Sequence, residues 1–160
     1  MKTILSEKNS ALLTDYSIEY VGGEAEILKR LQFPKSNAIK YNFIGVYDDN
    51  QKDKINSDKL KINWSFCFLP TQKSVEEEFK EIVSKNITIF PQKVGHTQDK
   101  IIQILSLLDG KDEHDWLLDL SKELGKEIQV VFSVLYDLWR QDNNESLQET
   151  VDSLLAACYT

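Results

Sequence analysis

The chain has 160 residues and a mass of 18.5 kDa, with 41% hydrophobic and 10% aromatic residues, enough to build a core and a size that fits one domain. Gly and Pro are scarce, and no stretch approaches the roughly 20 apolar residues of a membrane span, which argues against a disordered linker and a transmembrane helix. The formal charge is −7, unevenly spread: residues 1–108 hold 15 Lys+Arg and 14 Asp+Glu, whereas 109–160 hold 4 and 12.

An acidic last third repels nucleic acid and anionic membrane and steers a basic partner toward itself. It also serves simple solubility. The opening MKTILSEKNS turns polar after Leu5, so the apolar segment of a secretion signal is missing and none is expected. Cys67 and Cys158 lie 91 positions apart. That spacing suggests neither zinc nor a disulfide framework, and reduced, buried thiols in a cytoplasmic protein are expected.

Tyr16–Val21 (YSIEYV) alternates Tyr16, Ile18 and Tyr20 against Ser17 and Glu19, which predicts a strand. Gly22-Gly23 ends it. Ile27, Leu28 and Leu31 then form a short helix stripe, with Pro34 just past its end. Ile39–Tyr47 (IKYNFIGVY) is rich in β-branched and aromatic residues and predicts a central strand. After the polar run 48–59, Leu60–Leu69 (LKINWSFCFL) gives the clearest alternation, with Ile62, Trp64, Phe66 and Phe68 on one face.

Ser74 and Glu77 have capping-box spacing, opening a helix to about Lys85 with Val75, Phe79, Ile82 and Val83 on one side. Ile87–Phe90 (ITIF) is expected as a short strand ended by Pro91. Thr97 is positioned to cap a helix closed by Gly110, and Trp116, Leu117, Leu120 and Leu124 mark the next, closed by Gly125. Ile128, Val131, Phe132, Leu135, Leu138 and Trp139 mark another, although IQVVFSV also suits a strand. Asn144 is placed to cap a last helix bearing Leu147, Val151, Leu154, Leu155 and Cys158.

The order up to Phe90 reads β-α-β-β-α-β, the ferredoxin-like order. The expectation is one α+β domain over 1–160, with an α/β sheet portion at 1–95 packed with an acidic helical portion at 96–160.

Two segments invite a chemical reading. Tyr47–Lys59 (YDDNQKDKINSDK) gathers Asp48, Asp49, Asn50, Asp53 and Asp58. An EF-hand loop needs oxygen ligands at positions 1, 3 and 5, Gly at 6 and Glu at 12. Counting from Asp49, position 6 is Lys54 and position 12 is Leu60; counting from Asp48, position 5 is Lys52. Lys52, Lys54 and Lys59 oppose a cation, and the run reads as a solvated connection between strands. No metal and no cofactor are expected.

Asp109–Asp115 places His114 among carboxylates, but the order is not HExxH, and acidic residues before Trp116 suit a helix N-terminus. His96 sits at a turn before Thr97, and Cys67 with either histidine would form a nucleophile–base pair only if the fold joined them. Phosphate loops, GxGxxG and GxSxG are absent from the sequence. Tyr41, Phe43, Trp64 and Phe66 have the look of RNA-stacking sheet aromatics, but the basic footprint is lacking and core packing is the simpler role. Trp139 and Leu154-Leu155 likewise read as interior helix stripes.

No residue set nominates a catalytic site. The expected function is a non-catalytic protein-binding module: a small inhibitor or antitoxin of the immunity-protein kind, neutralising a basic protein partner such as a toxin nuclease through its acidic surface. The expected contacts are Asp109, Asp112, Glu113, Asp115, Asp119, Asp137, Asp142 and Glu145. The alternatives are a small enzyme with a site near His114 or Cys67, and an acidic chaperone-like adaptor. The Lys, Asn and Ile richness hints at a bacterial, AT-rich genome.

Overall fold

The structure, a computed structural model, describes residues 1–35, 42–112 and 115–159, the side chain of Leu60 excepted. Helix and strand are both present and helix predominates. The elements in order are α1 (Lys2–Lys8), α2 (Leu12–Asp15), α3 (Glu24–Leu31), β1 (Ile44–Tyr47), α4 (Lys52–Ser57), β2 (Ser65–Phe68), α5 (Val75–Lys85), α6 (Phe90–Val94), α7 (Gln98–Leu108), α8 (Trp116–Leu124) and α9 (Ile128–Cys158). Short 3-10 turns, Asp49–Gln51 and Lys59–Lys61, flank α4. Helical geometry breaks inside α9 at Asn143 (φ −120°, ψ 16°).

The chain divides into two compact units, residues 1–72 with 144–160, and residues 73–143. The division follows the break at Asn143 and the loop before α5, and neither bound falls at residue 95.

The first unit is built on a two-stranded parallel sheet, with Ile44 opposite Ser65 and Tyr47 opposite Phe68. Parallel neighbours need a crossover, and the polar run 48–59 supplies it as 3-10 turn and α4. One sheet face packs against helices: Leu31 and Ile27 of α3 and Ile55 of α4 join Tyr47, Trp64, Phe43, Ile62, Phe66 and Phe68. Phe43 and Trp64 meet edge to face at 5.1 Å. The last carbonyls of α3, which lack partners within their own helix, are met by the chain entering β2. Asn63 N–H donates to Leu31 O (2.8 Å), Asn63 Nδ2 to Gln32 O (2.7 Å) and Trp64 Nε1 to Phe33 O (2.7 Å). Leu147, Val151 and Leu154 are buried on residues 144–158, and Thr150 Oγ1 donates to Phe68 O at 3.4 Å.

Among the described residues, the elements of the second unit are all helices. Ser74 Oγ accepts from Glu77 N–H (3.2 Å) and Thr97 Oγ1 from Lys100 N–H (3.3 Å), so both predicted caps form. α8 ends at Gly125, whose φ of +60° is the left-handed conformation that L side chains resist. The core holds Phe79, Ile82 and Val83 of α5, Phe90 and Val94 of α6, Ile101, Ile104 and Leu108 of α7, and Trp116, Leu120 and Leu124 of α8. Val131, Leu135, Leu138 and Trp139 of α9 complete it. An aromatic row runs from Phe79 to Phe132 (5.7 Å) to Tyr136 (6.2 Å). Trp139 Nε1 at its end donates to Glu78 Oε2.

The ferredoxin-like order is not what the chain adopts. Tyr16–Val21 pairs with no strand among the described residues, because alternation favours a conformation but supplies no neighbour. The strands expected at Ile39–Tyr47 and Leu60–Leu69 shrink to Ile44–Tyr47 and Ser65–Phe68; residues 39–41 lie outside the described residues. Ile87–Phe90 is a turn opening α6, with Ile89 N–H and Phe90 N–H both donating to Asn86 O. Pro91 stands in the first turn of α6, where its missing N–H costs nothing; it starts a helix and does not end a strand. IQVVFSV is helical because its apolar residues continue the stripe Val131, Leu135, Leu138, and burial outweighs β-branched propensity. The helix break falls not at Asn144, the expected cap, but one residue earlier, where Asn143 Nδ2 donates to Trp139 O (2.8 Å).

Candidate partner-binding surface

The expected contact residues divide between the two units. Asp109 ends α7 with extended backbone (φ −63°, ψ 135°). Asp112 follows in the connection, and Asp115 stands at the N-cap of α8, where its carbonyl accepts from Asp119 N–H (2.9 Å). Asp109, Asp112 and Asp115 are all exposed. A carboxylate at that helix start complements its partial positive charge. Glu113 and His114 lie outside the described residues.

Asp119 differs from its neighbours. It lies 3.1 Å from Lys122 Nζ and 3.6 Å from Lys111 Nζ. The hydrogen bond from Lys122, with Lys111 adding its charge, holds the Asp119 carboxyl below the usual carboxylate range. A partner would have to compete with two cations already present. Asp137 pairs with Arg140 Nε at 3.3 Å, and Asp142 is exposed near the end of the 128–142 segment. Glu145, across the break, belongs to the first unit.

The charge divides accordingly. Residues 73–143 carry nine Lys+Arg against fourteen Asp+Glu, and the other unit ten against twelve. The acidity that sequence order assigns to one segment is shared, with the larger excess on the helical unit. The neutralising partners of Asp119 were not identified from sequence, although Lys122 at i+3 is a spacing that could have shown one of them.

Of the candidate catalytic residues, Cys67 and His96 are described and His114 is not. Cys67 is buried on β2, and burial, with a smaller contribution from Cys158, pushes its thiol up to about 11. The thiolate is the nucleophile, so this environment suppresses the reactive form at neutral pH. His96 Nε2 lies 3.0 Å from Leu124 O, where the ring N–H serves the last turn of α8. Among the described residues no three His, Cys, Asp or Glu side chains gather in a metal-holding group, and no helix is long and apolar enough to cross a membrane.

Phe43, Trp64 and Phe66 pack into the core of the first unit and do not form a stacking platform; Tyr41 lies outside the described residues. That unit carries a groove of about 590 Å³ lined by Asn56, Lys59, Trp64, Ser65, Phe66 and Ala157 among others. Lys35 Nζ rests 5.4 Å from the Trp64 ring centroid beside it. The groove is edged by lysine and its lining includes neither cysteine nor histidine. Sequence reasoning did not find it, because it is formed by residues near 35, 60 and 155.

Comparison with family models, with curated proteins and with solved structures returned no match.

Proposed function

We propose that this protein is a non-catalytic binding module that neutralises a basic protein, of the kind a cytoplasmic inhibitor or antitoxin of the immunity-protein class provides against a toxin nuclease. The observation that carries this reading is the charge distribution: 12 Asp+Glu against 4 Lys+Arg over residues 109–160, with Asp109, Asp112 and Asp115 exposed around the turn between α7 and α8. Such a patch favours fast, salt-sensitive encounter with a basic active site and masks it by charge complementarity. The proposed partner contacts are Asp109, Asp112, Glu113, Asp115, Asp119, Asp137, Asp142 and Glu145, of which Asp109, Asp112, Asp115, Asp142 and Glu145 are exposed. Asp119 and Asp137 already face cations of their own chain.

The test is capture of partners from the native host at low and at moderate salt, with the unmodified chain and with Asp109, Asp112, Asp115 and Asp142 changed to Lys. A stoichiometric basic protein is expected on the unmodified chain, lost as salt rises and absent from the variant. Equal retention by the variant would remove this surface from the function. No partner in either condition would favour an enzymatic role instead.

A further inference from the structure

The groove on the first unit contains none of the proposed partner contacts. Its volume, about 590 Å³, falls within the range of small-molecule sites, roughly 300–1,000 Å³. Ile62, Trp64 and Phe66 give it an apolar floor. Trp64 Nε1 donates to Phe33 O (2.7 Å) and its ring meets Phe43 edge to face at 5.1 Å, so the floor is in place before any ligand arrives. The last helical segment contributes Ser153, Ala156 and Ala157. They stand three and four apart, on one helix face, and their small side chains leave the space open.

The charge at its mouth has one sign. Among the described lining residues the ionised groups are Lys35 and Lys59, both exposed. Within the run 52–61, Lys52, Lys54 and Lys61 each have a carboxylate nearby, at 3.4, 2.9 and 2.6 Å. Lys59 has none among the described residues. Lys35 Nζ rests 5.4 Å from the Trp64 ring centroid, a cation–π contact that holds an ammonium at the border of the apolar floor. An apolar floor with two ammonium groups at the mouth is complementary to a ligand with an apolar body and an anionic head. Trp64 and Phe66 favour a ring as that body, because aromatic pairs gain more than their buried area alone supplies.

We infer that this groove binds a small aromatic anion, its ring on Ile62, Trp64 and Phe66 and its carboxylate or phosphate met by Lys35 and Lys59. Lysine acts toward either head as a point charge. A small ligand in a groove open to solvent binds modestly, with a Kd of about 0.1–1 mM. The inference is independent of the partner reading above, since its test measures a small molecule binding directly and needs no protein partner.

Titration of the full isotope-labelled chain, followed by the indole N–H resonance of Trp64, tests it. The probes are indoleacetate and adenosine monophosphate, with indoleacetamide and adenosine as their neutral counterparts. At least one probe is expected to shift that resonance and to approach saturation by about 5 mM, with its neutral counterpart about tenfold weaker. Which probe binds tells whether the head is a carboxylate, a phosphate or either. Lys35→Gln and Lys59→Gln together should weaken binding about tenfold with the circular dichroism unchanged, because both side chains are exposed. Ala156→Phe, also at an exposed position, fills the groove and should abolish the shift. No saturable shift with either probe, equal binding of the neutral counterparts, or unchanged affinity in the lysine variant or in Ala156→Phe each overturns the proposal. Should Ala156→Phe fail to fold, the lysine variant and the neutral counterparts decide.

Discussion

The two units are held together by different means. The helical unit, 73–143, is continuous in sequence, and its elements follow one another with caps at their joints: Ser74 before α5, Thr97 before α7, Gly125 after α8. The other unit is assembled from chain far apart. Its two strands reach each other only through α4, and it recruits residues 144–160 from beyond the whole helical unit. Local contacts form readily, whereas non-local ones must first overcome the entropy of closing long loops. The contrast gives each unit a distinct weak point, and substitutions can expose it.

The largest effect is expected in the helical unit. Phe90 is fully buried, and Phe90→Ala should cost about 3–5 kcal/mol through lost burial and the cavity left behind. The denaturation midpoint reads it directly. A loss below about 1 kcal/mol, as at ordinary surface positions, would mean that the α5–α6 corner collapses around the gap and that this core is less closely packed than its burial indicates.

Alkaline pH should next weaken the sheet-containing unit. Burial raises the Cys67 thiol from 9.0 to about 11, with Cys158 adding to it. Burial first, and the charge of Glu24 second, raises the Tyr47 hydroxyl from 10.0 to about 12. Both groups hold their protons more tightly folded than unfolded. Their contribution is therefore complete below the unfolded values and is lost as pH rises through the folded ones. For Cys67 the displacement corresponds to about 2–3 kcal/mol. Midpoints measured between about pH 8 and about pH 11 should fall, and Cys67→Val should flatten the first part of the decline. An unchanged slope in that variant would assign the loss to Tyr47.

Gly45 tests the same unit by crowding. A Cβ there would meet Leu31 Cδ1 at 2.6 Å, Ile27 Cγ2 at 3.1 Å and Tyr47 Cε2 at 3.2 Å, so α3 lies against β1 only because position 45 has no side chain. Gly45→Ala should cost about 1–3 kcal/mol, as overpacking does. A neutral result would mean that Leu31 can swing aside.

How much could be read beforehand follows the same division. Within 73–143, α5, α7 and α8 announced themselves through stripes and caps and lie where those signals put them, whereas α6 stands where a strand end was expected. The strand alternation of Ile62, Trp64, Phe66 and Phe68 correctly predicted a shared core face, but the pairing direction and the length of β2 were not legible. Those depend on where β1 ends and on α4, a helix hidden in a run whose Asp, Asn and Lys residues resemble a loop. The acidic surface was legible as composition but not as geometry, because the cations that quench Asp119 come from positions 111 and 122 and reach it only once α8 forms.

The smallest effect bears most directly on whether the helical unit is locally encoded. Thr97 and Ser74 each satisfy one amide at a helix start, and replacing either by Ala should cost about 1 kcal/mol. The two are not equivalent in setting. Ser74 opens a helix whose first turn carries Glu76, Glu77 and Glu78, which already favour that end electrostatically. Thr97 is followed only by Asp99. Thr97→Ala should therefore lose more than Ser74→Ala, by a few tenths of a kcal/mol, and the gap should narrow at high salt, where the carboxylates of α5 are screened. Equal losses at low and high salt would mean that the hydroxyl alone fixes each helix start and that the acidic first turn of α5 contributes solubility and nothing to its boundary.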